Sequence, residues 1–473
     1  MEEEIRKTIS RRTFMGAAAS TAFAFNIVPS RVLGRGAPSN KLNIASIGVG
    51  GRGGSNLRSV ESENIVALCD ADMERAKDGV NKNPRAKVYR DFRVMFDEME
   101  KDIDAVIVAT PDHTHYVAVM AAMERGKHVY CEKPLAHSIY EVRKITEAAR
   151  KYKVATQMGN QGHSSEHIRL CCEWVADGSI GNVREVYAWS DRPMGGFPFP
   201  SGSPRPKDRP PVPDALNWDL WLGPVKYRPY HPIYAPIYWR GWLDFGTGAL
   251  GDMGCHILDP AFWALKLGSP LSVEANTSYN PNPEFWKSCL GSSKSPKEEI
   301  PKYLDELRQE TYPVASIVRY EFGARGKMPP VKLTWFDGGI LPPRLKGMEK
   351  GHGDNGALII GDKGVIRHGS HGASGCRIIP ESKMRMYLRN LPPKTIKRVK
   401  GHHQDWIEAC KGGEPASSNF DYGGPLTEMV LLGVIAMRVK DTKLLWDCEN
   451  MRFTNSEEAN QLVKPSYYNG WTL

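Results

Sequence analysis

From Leu42 onward, short apolar runs alternate with stretches whose apolar positions recur every three or four residues. Leu42–Ile47, Asn64–Asp70, Ile103–Ala109, Lys127–Cys131 and Val154–Gly159 have the length and apolar content of buried strands. Helical spacing fills intervals between them, at Tyr116–Arg125 and Ile139–Tyr152, and a helix is expected from about Gly53. Strands alternating with helices predict a parallel, doubly wound sheet with right-handed crossovers.

The texture changes after Gly162. A helix near Glu166–Asp177 leads to a strand at Val183–Trp189. The stretch from Pro193 to Pro236 is rich in proline, tryptophan and tyrosine, and its aromatic content predicts an ordered loop wrapping a surface. Longer strands at Val314–Phe322 and Val331–Trp335 predict a mainly antiparallel sheet, and helices at Gln404–Lys411 and Pro425–Val439 return to the core. The expected organisation is an N-terminal α/β domain over residues 41–162 and a C-terminal α/β domain over 163–440. A tail, 441–473, packs on the body.

Composition narrows the function classes. A chain of 473 residues is too long for one simple core, and 41% hydrophobic with 25% charged residues is ordinary for a globular protein. Of the net charge of +9, residues 1–36 carry +3, and no basic run with interleaved aromatics occurs, which argues against nucleic acid as a partner. Nine cysteines contain no Cys-x-x-Cys, so neither a zinc ribbon nor a disulfide framework is indicated. At the N-terminus, Ser10-Arg11-Arg12-Thr13-Phe14-Met15-Gly16 leads into the weakly apolar run Ala17–Phe25. Paired arginines before such a run predict a twin-arginine export signal within residues 1–36, cleaved between Leu33 and Pro38, and hence a periplasmic or otherwise exported protein. The run is too short to span a bilayer comfortably, and no cysteine closely follows it, so no stable membrane anchor is expected.

Three segments carry chemistry. The loop Gly48-Val49-Gly50-Gly51-Arg52-Gly53 lies between a strand and a helix, where glycines allow a tight turn, close approach to a pyrophosphate and helix–strand packing. Asp70 closes the next strand, 20 residues after Gly50, where a carboxylate can accept hydrogen bonds from an adenosine ribose. Its charge repels a 2′-phosphate and favours NAD over NADP, although Arg52 can offset that repulsion. In this reading Thr110, Pro111, His113 and His115, at the carboxyl edge of the sheet, line the nicotinamide pocket, with Glu132, Lys133 and Asn160 also binding cofactor. Lys133, in Glu132-Lys133-Pro134, is placed to polarise a hydroxyl or carbonyl. In Gly246–Asp259, Asp252 and His256 are four apart and share a helix face, with Asp259 a turn further on. His256 suits proton transfer near neutrality, and no third strong ligand makes a metal site there.

These segments, in this order, resemble the glucose–fructose oxidoreductase / inositol dehydrogenase / rhizopine-catabolism (Gfo/Idh/MocA) family over roughly residues 41–440. The resemblance implies an N-terminal Rossmann domain and a C-terminal α/β domain with an open, mostly antiparallel sheet, nicotinamide and substrate meeting between them. It implies Lys133, Asp252 and His256 as catalytic residues. The expected activity is hydride transfer between a secondary hydroxyl of a sugar or glycoside and a tightly bound NAD(H), and a homo-oligomer is expected. Trp239, Arg240 and Trp242 are expected as a sugar platform or as packing, alongside Asp252 and His256 at the substrate. Two rivals stay open: a redox-neutral glycoside hydrolase or lyase working through a transient keto sugar, and a non-catalytic NAD-dependent sugar-binding protein.

Overall fold

The computed structural model describes residues 40–195, 199–279 and 296–472, with the backbone alone at 296–299. The expected export segment lies outside these residues. Asn43–Leu473 forms one compact unit; of the other unit, residues 1–42, only 40–42 are described. No helix among the described residues is long and apolar enough to cross a membrane.

Six parallel strands form the first sheet: β1 (Asn43–Ile47), β2 (Asn64–Cys69), β3 (Lys87–Tyr89), β4 (Ala105–Val108), β5 (His128–Glu132) and β6 (Thr156–Gly159). Their order is β3-β2-β1-β4-β5-β6. All four residues of β4 are buried, as a strand covered on both faces requires. The order reverses between β1 and β4, so the loops leaving these two strands diverge and open a crevice at their carboxyl ends. The second sheet has nine strands. They are β7 (Val183–Trp189), β8 (Ser272–Ser278), β9 (Ala315–Phe322), β10 (Val331–Phe336), β11 (Gly356–Gly361), β12 (Val365–His368), β13 (Arg377–Ile379), β14 (Leu444–Asp447) and β15 (Arg452–Phe453). Their order is β13-β12-β11-β7-β10-β9-β8-β14-β15, antiparallel throughout except for β7 beside β10. The expected fold class, a doubly wound parallel sheet followed by an open, mostly antiparallel one, is the fold observed.

Six helices position the site: α1 (Arg52–Ser59), α2 (Asp112–Glu124), α3 (Ile139–Tyr152), α4 (Gly248–Ile257), α5 (Asp259–Ala264) and α6 (Phe420–Ala436). Helix α6 is apolar nearly all round and almost wholly buried, packing on α3 from the first sheet and on α4 and β8 from the second. Its expected start is Pro425. The helix begins five residues earlier, where the Asn419 side chain accepts from the Asp421 N–H at 2.9 Å. The two glycines serve close packing: a Cβ on Gly424 would lie 2.4 Å from Thr146 Oγ1 and one on Gly423 3.0 Å from Met158. Helix α2 also starts early, at Asp112 rather than Tyr116, which changes where the histidines of that segment point.

The aromatic segment is ordered where described. Trp218, Trp221, Tyr234, Trp242 and Phe245 form an apolar cluster of their own, with Trp218 and Trp221 stacked at 4.8 Å. The last residues lie along the body: β14 pairs with β8, the Tyr140 N–H donates to Val463 O at 3.1 Å, and Trp471 sits 5.7 Å from Phe92.

Candidate active site

The turn after β1 is built from glycine by necessity. Gly48 has φ +85°, and a Cβ there would lie 2.6 Å from the Ala109 carbonyl carbon. Gly53, in the first turn of α1, brings that helix so close that a Cβ would lie 2.0 Å from Gly48 O. Gly53 therefore fixes the loop from behind, while Gly50 and Gly51 border the cavity in front of it. No side chain caps the start of α1. Asp70, at the end of β2, reaches back to the loop and accepts from Val49 N at 2.8 Å, Asp72 N at 3.0 Å and Gly50 N at 3.4 Å. Burial raises its carboxyl above the usual value, against the pull of these donors. Arg52 extends along the rim to Gln161 Oε1, at 2.7 Å, and lies 3.5 Å from Glu132.

Lys133 leaves the end of β5 on the same side of the sheet. Its Nζ donates to the backbone carbonyl of Asp252 at 2.6 Å and to Asp252 Oδ1 at 2.9 Å. Asp252 and His256 are one turn apart on α4, and both face the cavity. Arg240 Nε is 3.2 Å from Asp252 Oδ1, and Arg192 Nε lies 3.6 Å from Oδ2. Burial alone would raise the Asp252 carboxyl, but Lys133, Arg240 and Arg192 hold it well below the usual carboxylate range. Burial, with the charge of Lys133 and the neighbouring His371, pushes His256 well below the usual imidazole range, so it is neutral at pH 7. Its Nδ1 has no hydrogen-bond partner among the described residues. One cavity of about 550 Å³ runs from Gly48–Arg52 to Lys133, Asp252 and His256, in the size range of a ligand pocket.

The other expected residues divide. Thr110 and Pro111 border the cavity, as do Glu132, Trp239 and Arg240, with Arg240 stacked 4.1 Å over Trp239. His115 borders it too, but its ring bridges Pro134 O and Thr110 O, each at 2.8 Å, and so braces the turn that carries Lys133. His113 is corrected: it does not line this cavity. Because α2 begins at Asp112, residues 113 and 115 fall on opposite faces. The ring of His113 meets Trp221 O at 2.9 Å and Phe245 O at 3.2 Å, and burial pushes its pKa down to about 3. Asn160 is corrected likewise. It is buried behind the site, donating to Asp259 Oδ2 at 3.1 Å and accepting from Ser418 Oγ at 2.7 Å. Trp242 is core and not platform: it is fully buried and 4.8 Å from Tyr234, where truncation to alanine costs about 3–5 kcal/mol. Asp259 heads α5 and is held by His163, Asn160 and Tyr422. No group of three or more His, Cys, Asp or Glu is placed to hold a metal among the described residues.

Sequence reasoning missed two residues of the site. Arg192 follows β7 and reaches Asp252. The His371 ring lies 4.0 Å from that of His256. The turn carrying His371 is pinned: Gly372 has φ +61°, a Cβ there would lie 2.0 Å from Gly162 O, and Ser165 Oγ donates to Gly372 O at 2.6 Å. Neither residue belongs to a local motif; the second sheet alone brings them to the cavity.

Comparison with known proteins agrees with this architecture. Residues 42–160 match the model of an oxidoreductase family, NAD-binding Rossmann fold, and residues 202–285 match that family's C-terminal α/β domain. Both matches are to the Gfo/Idh/MocA oxidoreductase family, and together they span less than half of the chain. An inositol 2-dehydrogenase of Rubrobacter xylanophilus is 33% identical over 150 residues, 30% of this chain and 42% of the relative. A levoglucosan dehydrogenase of Pseudarthrobacter phenanthrenivorans is 24% identical over 269 residues, 55% of this chain and 57% of the relative. A glycosyl hydrolase family 109 protein of Solibacter usitatus is 35% identical over 175 residues, 34% of this chain and 38% of the relative. The chain thus covers less than two thirds of the length of each. The crystal structure of the WlbA dehydrogenase from Bordetella pertussis, in complex with NADH and UDP-GlcNAcA, shares the fold. Its TM-score is 0.56 at 14% identity, over 86% of this chain and 99% of that one.

The electrostatics of the cluster make a signed prediction. The Lys133 cation disfavours protonation of His256, and the Asp252 carboxylate favours it. In an NMR titration of histidine-labelled protein, Lys133→Met should raise the His256 pKa and Asp252→Asn should lower it. Shifts of the same sign in both variants would show that the cluster does not control this imidazole.

Proposed function

We propose that the protein is an NAD-dependent oxidoreductase that moves a hydride between a secondary hydroxyl of a sugar or related polyol and nicotinamide. The carrying observation is that one cavity joins the glycine loop to a lysine, a carboxylate and a neutral imidazole. The residues present fit the cofactor. The loop is held open by glycines that admit no side chain, α1 begins without a side-chain cap, and Asp70 closes β2 beside it. Gly50, Gly51, Arg52, Asp70 and Thr110 would hold NAD, which supplies a hydride acceptor when bound. The Asp70 carboxylate supports NAD over NADP, since a 2′-phosphate would face a negative charge there.

The chain's own groups supply the proton chemistry. His256, kept neutral, takes the proton of the reacting hydroxyl as the carbon is oxidised. The Lys133 ammonium stabilises charge developing on that oxygen. Asp252 holds Lys133 in place, and Arg240 and Arg192 keep Asp252 ionised. Similarity to inositol 2-dehydrogenase and levoglucosan dehydrogenase supports a polyol or anhydrosugar as the substrate class. The test is nicotinamide reduction against a panel of sugars and cyclic polyols. Lys133→Ala and His256→Ala should each lose on the order of 10²-fold in kcat/KM while retaining NAD. Near-normal turnover in both would contradict this assignment. Glycoside cleavage without net NADH would instead support the redox-neutral cycle, the reading favoured by similarity to a glycosyl hydrolase family 109 protein.

We further infer export by the twin-arginine route with NAD(H) already bound, from Arg11-Arg12 and the apolar run that follows. Trp471 and Phe92 border the same cavity as the glycine loop, so the C-terminal residues help to enclose it. Protein recovered from the periplasm without added nucleotide should release NAD(H) on denaturation. Cofactor-free protein that binds NAD weakly would exclude a trapped cofactor, and retention in the cytoplasm would exclude export.

A further inference from the structure

A second cavity, of about 440 Å³, has a lining of its own, and none of the described residues lines both. Its walls come from the start of α3, the segment around Arg228, the end of α6 and residues 461–468. It is charged, with cations in excess. Arg205, Lys226, Arg228, Arg438 and Lys464 border it, against the carboxylates Glu141 and Asp244.

Both carboxylates are already used. Glu141 accepts from the His137 N–H, the Ser138 N–H and the Tyr467 hydroxyl. Asp244 lies 2.5 Å from Arg228 Nη2, which also meets Glu310 at 3.2 Å. The cations are not fully answered. Arg228 is 3% exposed, and its Nε and Nη1 have no hydrogen-bond partner among the described residues. Arg438, just beyond the end of α6, has no side-chain hydrogen bond or ion pair among them. A planar guanidinium left open in a concave site is suited to bidentate contact with a carboxylate or phosphate. Tyr312 and Tyr227 add apolar wall, and the volume suits a monosaccharide-sized body.

We propose that this second cavity binds a small anionic metabolite, a phosphorylated or carboxylated molecule of sugar size, with its oxyanion on Arg438. The site stands apart from the cofactor cavity, so it holds or fails independently of the proposed oxidoreductase activity. Arg438 and Lys226 supply charge that no internal acid takes up, and Arg228 forms the buried floor.

The test is isothermal titration of the full protein, saturated with NAD so that the glycine loop is occupied. The probes are glucose 6-phosphate, gluconate, inorganic phosphate and, as neutral control, glucose. At least one oxyanion should bind saturably in the micromolar to millimolar range, and any binding of glucose should be indifferent to the substitutions in the second cavity. Arg438→Met should weaken that binding about tenfold or more. Lys226→Met, at an exposed position, should weaken it less and serves if the arginine variant does not fold. Lys133→Ala should leave it unchanged. A phosphate-only or carboxylate-only response assigns the ligand class. Absence of saturable binding for all three anions, or anion binding indifferent to both cavity substitutions, would overturn the proposal.

Discussion

The contact between Lys133 and Asp252 is the constraint on which the site depends. It joins the end of β5 in the first sheet to helix α4, across 119 residues of chain. The lysine side chain is 12% exposed and the aspartate 8%, so neither charge is well hydrated. Two such charges attract by about 4 kcal/mol or more at the effective dielectric of a protein site, and much of this offsets their desolvation. Breaking the pair leaves a buried charge alone, which costs about 3–5 kcal/mol. The second bond from Lys133, to the Asp252 backbone carbonyl, fixes the helix as well as its side chain. Burial keeps His256 neutral and the same cation adds to it, so this interaction sets the geometry of the cluster and contributes to its protonation state.

Close backbone packing supports this arrangement. Glycines at 48 and 53 press α1 against the turn after β1, and glycines at 423 and 424 let α6 lie against both α3 and β6. Gly372 presses the His371 turn onto Gly162. In each place a methyl group would displace backbone or a packed side chain. The cavity therefore has walls that cannot easily rearrange, which favours a preorganised site over one assembled by substrate.

Legibility followed sequence range. Five of the six strands of the first sheet were readable from their apolar runs, and Ile139–Tyr152 was delimited to the residue; β3, Lys87–Tyr89, is short and largely exposed and was missed. The glycine loop, Asp70, Lys133 and the Asp252–His256 pair each carry their meaning within a short window. Arg192 and His371 do not, since only pairing within the nine-stranded sheet brings them to α4. His113 and Asn160 were misplaced for a related reason. Position at the carboxyl edge of a strand is readable, but the direction of a side chain depends on where a helix starts and on what packs behind it. Trp242 looked like a platform because aromatic residues suit both sugars and cores. Its burial among Tyr234, Phe245 and Trp218 decides for the core.

The central claim is that hydride passes directly from a substrate carbon beside Lys133 and His256 to the cofactor in the same cavity. The most direct measurement uses a substrate deuterated at the carbon that bears the reacting hydroxyl. After a single turnover the protein is denatured and the released nicotinamide analysed by mass spectrometry. The account predicts NADH heavier by one deuterium, with the label absent from solvent. Unlabelled NADH with deuterium in the water, or conversion of substrate with no label passing through the nicotinamide, would contradict it.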